Sequence, residues 1–220
     1  MSQTPTLTPV KIESLRPTQI SVGQREVDLK RKDWKSKSVK QRAESFGKHM
    51  VPVILGPKDL PYLIDHHHFA RALHEEKTET VLVQVVADLS RLDKEAFWFF
   101  MDNRNWTHPY DADGRRRDFS DIPKTVDELV DDPYRSLSGE LRRAGGFAKD
   151  TTPFSEFLWA DFLRRRIKKA AIQSDFAAAV EKALALAKSK DADFLPGWCG
   201  PSNDKNGAPK PEGKAAVSNK

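Results

Sequence analysis

Cysteine is almost missing from this chain: Cys199 is the single one in 220 residues. That excludes an internal disulfide and any zinc site built from several cysteines, and it fits a reducing compartment. Long apolar runs are also missing. No stretch approaches the roughly 18 apolar residues of a membrane helix. Residues 1–10 are polar and rich in Thr and Pro, without the basic start and apolar centre of a secretory signal, so the cytoplasm is the expected location. Neither Glu-x-x-His nor His-x-x-x-His spacing occurs, and no internal repeat is visible.

Charge, by contrast, is plentiful. Hydrophobic residues make up 38% and charged residues 31%, with a net charge of +5. The composition describes a protein with a modest core and a highly charged surface. An excess of basic residues fits an anionic ligand such as a nucleotide or nucleic acid, and it fits equally a surface tuned for solubility.

The pattern along the chain changes near residue 110. Before it, strands are expected at Val10–Glu13, Val51–Leu55, Tyr62–Ile64 and Thr80–Val86, the last rich in β-branched residues. Pro52 suggests an edge strand or a first position. A helix capped by Ser36 or Ser38 should run to about His49, with Val39, Ala43 and Phe46 at helical spacing. Another should start at His66 or His67. A third, capped by Ser90, should carry Phe97, Phe100 and Met101.

After residue 110 only helices are expected. Thr125-x-x-Glu128 reads as a capping box. Asp132-Pro133 should start a helix that Gly145-Gly146 stops. Thr152-Pro153 should start one with Phe157, Trp159 and Phe162 in the core, and Ser174 should cap the last. The expected organisation is a flexible leader over 1–9, an α+β domain with a small mixed sheet over 10–110, an all-helical extension over 111–200 and a disordered tail over 201–220.

The chemistry concentrates in Tyr62-Leu63-Ile64-Asp65-His66-His67-His68-Phe69-Ala70-Arg71-Ala72-Leu73. An apolar strand delivers one carboxylate and three imidazoles to the start of a helix. Free backbone N–H groups at a helix start favour anions, and histidines there can donate to phosphate or move protons near neutral pH. Asp65 reads either as a carboxylate that accepts a proton or helps hold Mg²⁺ beside phosphate, or as a simple N-cap. A shared transition-metal ion fits poorly, because consecutive helical residues point about 100° apart. His74 lies about 10 Å along the axis from His67.

Three further clusters are candidates. Asp102-Asn103-Arg104-Asn105-Trp106-Thr107-His108 follows a helix and can close over a site, with Arg104 toward phosphate and Trp106 toward a base. Arg115, Arg116 and Arg117 sit in a loop that can meet a nucleic-acid backbone. Arg164-Arg165-Arg166 with Lys168-Lys169 fans around a helix, the usual mark of a solvated surface.

Three blocks in order resemble the ParB/sulfiredoxin superfamily, in the branch of ParB-like nuclease domains. They are Leu15-Arg16-Pro17-Thr18-Gln19 with Val22-Gly23 and Glu26-Val27; Val51-Pro52-Val53-Ile54; and Ile64-Asp65-His66-His67-His68 with Ala70 and Ala72-Leu73. The resemblance covers roughly residues 10 to 105. It implies a phosphate site at the last block, where relatives bind ATP, ADP or CTP and some transfer a phosphoryl group with Mg²⁺. On that reading Thr18, Gln19, His66, His67, His68, Arg71 and Arg104 contact the nucleotide. Asp65, His67 and His68 work at the phosphates. Glu26, on a loop or strand before the first helix, serves as base for a small hydroxyl substrate.

His66 stands where the family often has glycine, and Phe69 where it often has an arginine; Arg71 is the candidate substitute. Three functions follow from the resemblance: a nucleotide-binding protein that acts as a phosphotransferase, a nuclease or partition-type DNA-binding protein, and a non-catalytic regulatory module.

Overall fold

A computed structural model describes residues 7–48 and 50–201. The elements in chain order are β1 (Leu7–Lys11), β2 (Ser21–Val22), α1 (Gln24–Ser36), α2 (Val39–Lys48), β3 (Val51–Gly56), β4 (Leu60–Leu63), α3 (His67–Glu75), β5 (Thr80–Asp88), α4 (Lys94–Asn103), β6 (Val130–Asp131), α5 (Pro133–Arg143), α6 (Ser155–Arg164), α7 (Lys169–Ser174) and α8 (Phe176–Ala187). The fold is α+β, as expected. β1 begins at Leu7, inside the segment assigned to a leader. The predicted end of the helix that follows Ser38, His49, and the tail beyond 201 lie outside the described residues.

Four strands form a mixed sheet in the order β1-β5-β3-β4. β5 runs antiparallel to β1 and parallel to β3, and β3 runs antiparallel to β4. The placement of Pro52 at an edge is therefore corrected: β3 is an interior strand. Proline is accommodated because the β3–β4 ladder starts at Val53. The Pro52 carbonyl accepts from Ile64 N at 3.1 Å, where the chain leaves β4, so the donor that proline lacks falls at the end of that ladder.

Alternation along β3 sends Val51 and Val53 to one face and Ile54 to the other. On the first face they pack with Val27 and Trp34 of α1 and with Ala70, Ala72 and Leu73 of α3. On the second, Ile54 meets Phe97, Trp98 and Met101 of α4. Val126 and Leu129 join the first core from beyond residue 110. A separate core gathers Leu137, Leu141, Trp159, Phe162, Leu163 and Ala183 from α5, α6 and α8.

Helix α5 joins the two halves. Tyr134, Leu137 and Leu141 face the helical core. Its other face is built from small residues and Arg135 and lies against the start of α1. A Cβ on Gly23 would come within 2.8 Å of Ser136 N, so the approach requires glycine.

Other details differ from expectation. α1 was not foreseen, and it carries Glu26 in its first turn rather than on a loop or strand. Its sequence is dominated by charge, and only Val27 and Trp34 are buried, so the apolar periodicity is thin. Val39 is exposed and does not mark a core-facing stripe. Asp93 and Asp175, not Ser90 and Ser174, cap α4 and α8, each accepting from the backbone N–H three residues on. A two-residue strand, β6, does occur after residue 110 and pairs in parallel with β2. α6 starts at Ser155 and ends at Arg164, so the basic run 164–169 spans a helix end. Phe157 is only half-buried, unlike Trp159 and Phe162.

Candidate functional site

β4 ends at Leu63, and the chain turns through Asp65 and His66 into α3. His66 adopts the left-handed conformation, φ 64°, which explains why glycine suits this place. No side chain caps the N-terminus of α3. Asp65 Oδ1 instead accepts from His66 N at 2.6 Å, so the N-cap reading of Asp65 is replaced by a contact one residue earlier.

The two following histidines act as staples. His67 Nε2 accepts from Thr18 N at 3.1 Å, and His68 Nε2 accepts from Gly23 N at 3.0 Å. A backbone N–H can only donate, so Nε2 must be unprotonated in each ring and Nδ1 carries the proton. Burial pushes both imidazoles down to about 3, for His67 against the pull of Asp65 and for His68 against that of Glu26. Neither ring changes charge near neutral pH. The expectation of proton-moving histidines is corrected on that physical ground, and what each offers is an Nδ1–H donor.

The stapled segment is itself fixed. Thr18 Oγ1 donates to Leu63 O at 2.5 Å, the Thr18 carbonyl accepts from Thr107 Oγ1 at 2.7 Å, and Gln19 Nε2 donates to Ser21 O at 2.7 Å. Thr18 is thus scaffold, whereas Gln19 borders the cleft in front of α3.

That cleft has a volume of about 520 Å³. Gln19, Glu26, Asp65, His66, His67 and His68 line it, so these predicted site residues do come together. Facing them are Lys30 from α1, Arg135 and Arg142 from α5, Lys149, Asp150, and Ser155 with Glu156 at the start of α6. None of these was foreseen. The signal available for Arg135 was a charged residue followed directly by the small and apolar run Ser136-Leu137-Ser138-Gly139.

Arg135 is 7% exposed. Its Nη1 donates to Glu26 Oε2 at 3.2 Å, and its buried Nε has no hydrogen-bond partner. Burial opposes the charge on Glu26, but His68 in its protonated form, Arg135, Lys30 and Arg143 outweigh it and hold the carboxyl down at about 2. Glu26 Oε2 lies 3.9 Å from His68 Nε2, which is no ion pair while that nitrogen is an unprotonated acceptor. Arg142 Nε lies 3.3 Å from Glu156 Oε1.

Other candidates stand elsewhere. Arg71 does not reach the cleft: its Nε donates to Glu75 at 2.7 Å, and its Nη1 donates to the carbonyls of Val126 and Asp127. It therefore does not replace the missing arginine. Phe69 is partly buried in the first core, edge-on to Trp34 at 6.0 Å. Arg104 is exposed, with its guanidinium 5.0 Å from the centre of the Trp106 ring, and Asn105 rather than Arg104 borders the cleft. Arg116 and Arg117 are paired with Asp102 and Asp111, and Arg115 N donates to Asp111.

A neighbouring cleft of about 530 Å³ shares the wall formed by Pro153, Phe154 and Phe157. His108 stacks on that wall, 4.0 Å from Phe157, and its imidazole is also pushed down by burial to about 3.

No cluster of three or more His, Cys, Asp or Glu poised for a metal ion occurs among the described residues. Mg²⁺, however, often takes only one or two protein carboxylates and completes its shell with water and substrate phosphates. Asp65, outside any ion pair among the described residues, suits that role. No helix among the described residues is long and apolar enough to cross a membrane.

Comparison with known proteins agrees with this architecture. No curated protein matches the chain. The crystal structure of protein Atu1540 from Agrobacterium tumefaciens superposes with a TM-score of 0.84 at 54% identity, over 89% of this chain and 99% of that one. A family model described as "Putative ParB-like nuclease" matches residues 8–165, which span the sheet, the cleft in front of α3, and helices α5 and α6. The chain belongs to this ParB-like family.

Proposed function

We propose that the chain binds a nucleotide by its phosphates in the cleft in front of α3, with Mg²⁺ as the companion ion. The observation that carries this reading is the α3 N-terminus, which opens on the cleft without a side-chain cap beside the buried guanidinium of Arg135. The first N–H groups of a helix have no partner within it and favour an anion. The Nδ1–H groups of His67 and His68 add neutral donors, and Lys30 and Lys149 add charge at the rim. ATP, ADP and CTP all present the phosphates such a site takes.

Asp65 would share the Mg²⁺ with those phosphates. The ion would neutralise phosphate charge, and the chain's own groups would fix the phosphate position. Glu26 is less suited to remove a proton from a hydroxyl: a carboxylate held at about 2 and bound to Arg135 is a weak base. Its role on this reading is to orient Arg135. Phosphoryl transfer to a small hydroxyl substrate would need a different base.

Melting curves with millimolar ATP, ADP and CTP plus Mg²⁺ test the proposal. A ligand at 100 times its Kd adds about 2.7 kcal/mol, so at least one nucleotide should raise Tm clearly. Lys149→Glu, at an exposed position, should reduce that rise while leaving the unliganded Tm unchanged. No rise with any nucleotide overturns the reading.

The family description favours a second reading, a nuclease, in which the phosphate of a DNA strand occupies the same cleft. DNA cleaved with Mg²⁺ by the wild type and left intact by Asp65→Asn would establish it in place of the first.

A further inference from the structure

We propose that a second cleft, between β4, the start of α4 and the Phe119–Lys124 segment, binds a small aromatic anion: a planar ring that carries a phosphate or carboxylate. Its volume is about 370 Å³, within the range of about 300–1,000 Å³ for small-molecule sites. It shares no lining residue with the cleft in front of α3.

Its floor is aromatic. Trp98 and Phe119 stack with centroids 5.5 Å apart and planes 6° apart, and Tyr62 meets Trp98 edge-on at 5.5 Å. A Cβ on Gly56 would fall 2.5 Å from the Tyr62 ring, so glycine alone lets that ring lie against β3. Flat apolar ligands gain from such surfaces by stacking.

Its rim is cationic. Arg16, Lys58, Lys94 and Lys124 line it, and no carboxylate does. None of the four is in an ion pair among the described residues. Elsewhere arginine is regularly neutralised, as with Arg31 and Glu75, Arg71 and Glu75, or Arg164 and Asp132. Arg16 Nη1 donates to Lys124 O at 2.8 Å, while its buried Nε has no hydrogen-bond partner. Lys58 sits at the mouth with φ 64°, followed by Asp59 with φ 57°. Two consecutive left-handed residues other than glycine are costly, and such strain clusters at ligand sites. Four uncompensated cations around an apolar floor select an anion attached to a ring over either part alone.

Titration of the whole chain with phenyl phosphate, followed through the Trp98 indole N–H by NMR, tests this. Saturable binding that perturbs Trp98, at least about tenfold tighter than phenol or inorganic phosphate, supports the site. Lys94→Glu with Lys124→Glu should weaken phenyl phosphate at least about tenfold with no change in Tm. Equal affinity for phenol, unchanged affinity in the double variant, no saturation, or perturbation of the His67–Phe69 amides in place of Trp98 would each overturn it. Because the two clefts are separate, nucleotide binding in front of α3 can succeed or fail independently.

Discussion

The two clefts treat charge in opposite ways. In front of α3 the central cation is buried and already held: Arg135 by Glu26, with Arg142 beside Glu156. Around Tyr62 and Trp98 the lysines are exposed and unpaired. The first arrangement is preorganised, because its donors are already oriented by their partners, and it depends on every one of them. The second is an apolar floor with a soft rim, whose charges can be altered without disturbing the fold. Buried polar groups make the first cleft sensitive to mutation and pH, and exposed ones make the second tolerant.

Removing Arg135 should break this contrast most severely. Arg135→Met leaves Glu26 charged and mostly buried without its partner. Fully buried pairs lose about 3–5 kcal/mol when one partner is removed; the remaining exposure of Glu26 reduces this to about 2–3 kcal/mol. Urea denaturation checks the figure, and a loss below about 0.5 kcal/mol would show that the pair is a surface contact. Next is His67→Leu, which leaves Thr18 N–H without an acceptor and should cost about 1–3 kcal/mol.

The pH dependence follows. His67, His68 and His108 sit at about 3 in the fold against 6.5 for an ordinary imidazole. The unfolded chain therefore binds more protons between those values. Stability is fully present above about pH 6.5 and falls as pH drops toward 3, by up to about 1.4 kcal/mol per pH unit for each ring. Glu26, held at about 2 against 4.5, adds a further loss below pH 4.5. His108→Phe preserves the stacked ring and should flatten the upper part of this slope; an unchanged slope would show that His108 does not contribute to it. The smallest effect should be that of Lys94→Glu with Lys124→Glu on unliganded stability, within about 0.5 kcal/mol, read from Tm.

The same contrast explains what was legible in the sequence. Local signals were. The β-branched run of β5, the strand-to-helix junction at Asp65–His67 and the Asp132-Pro133 start of α5 each rest on a few neighbouring residues, and each stands in the fold. Caps misread by a few residues, such as Ser90 for Asp93, show that several polar residues compete near one helix start.

Arg135 was not legible, because its meaning comes from Glu26, 109 residues away in sequence. Arg71 was misread for the complementary reason: it lies close to the histidines in sequence, but the carbonyls of Val126 and Asp127 capture it. The histidines do line the cleft. Their engagement by Thr18 and Gly23 could not be seen without the fold, and it turns them from titrating groups into fixed donors.

The first turn of α3, with Arg135 beside it, is the proposed phosphate cradle. Its most direct test is the backbone amide spectrum of the ¹⁵N-labelled chain during addition of ADP with Mg²⁺. Saturable shifts are expected at the His67, His68 and Phe69 amides and at the Arg135 side chain. Amides of α3 that stay still through millimolar ADP, or shifts confined to other surfaces, would contradict it.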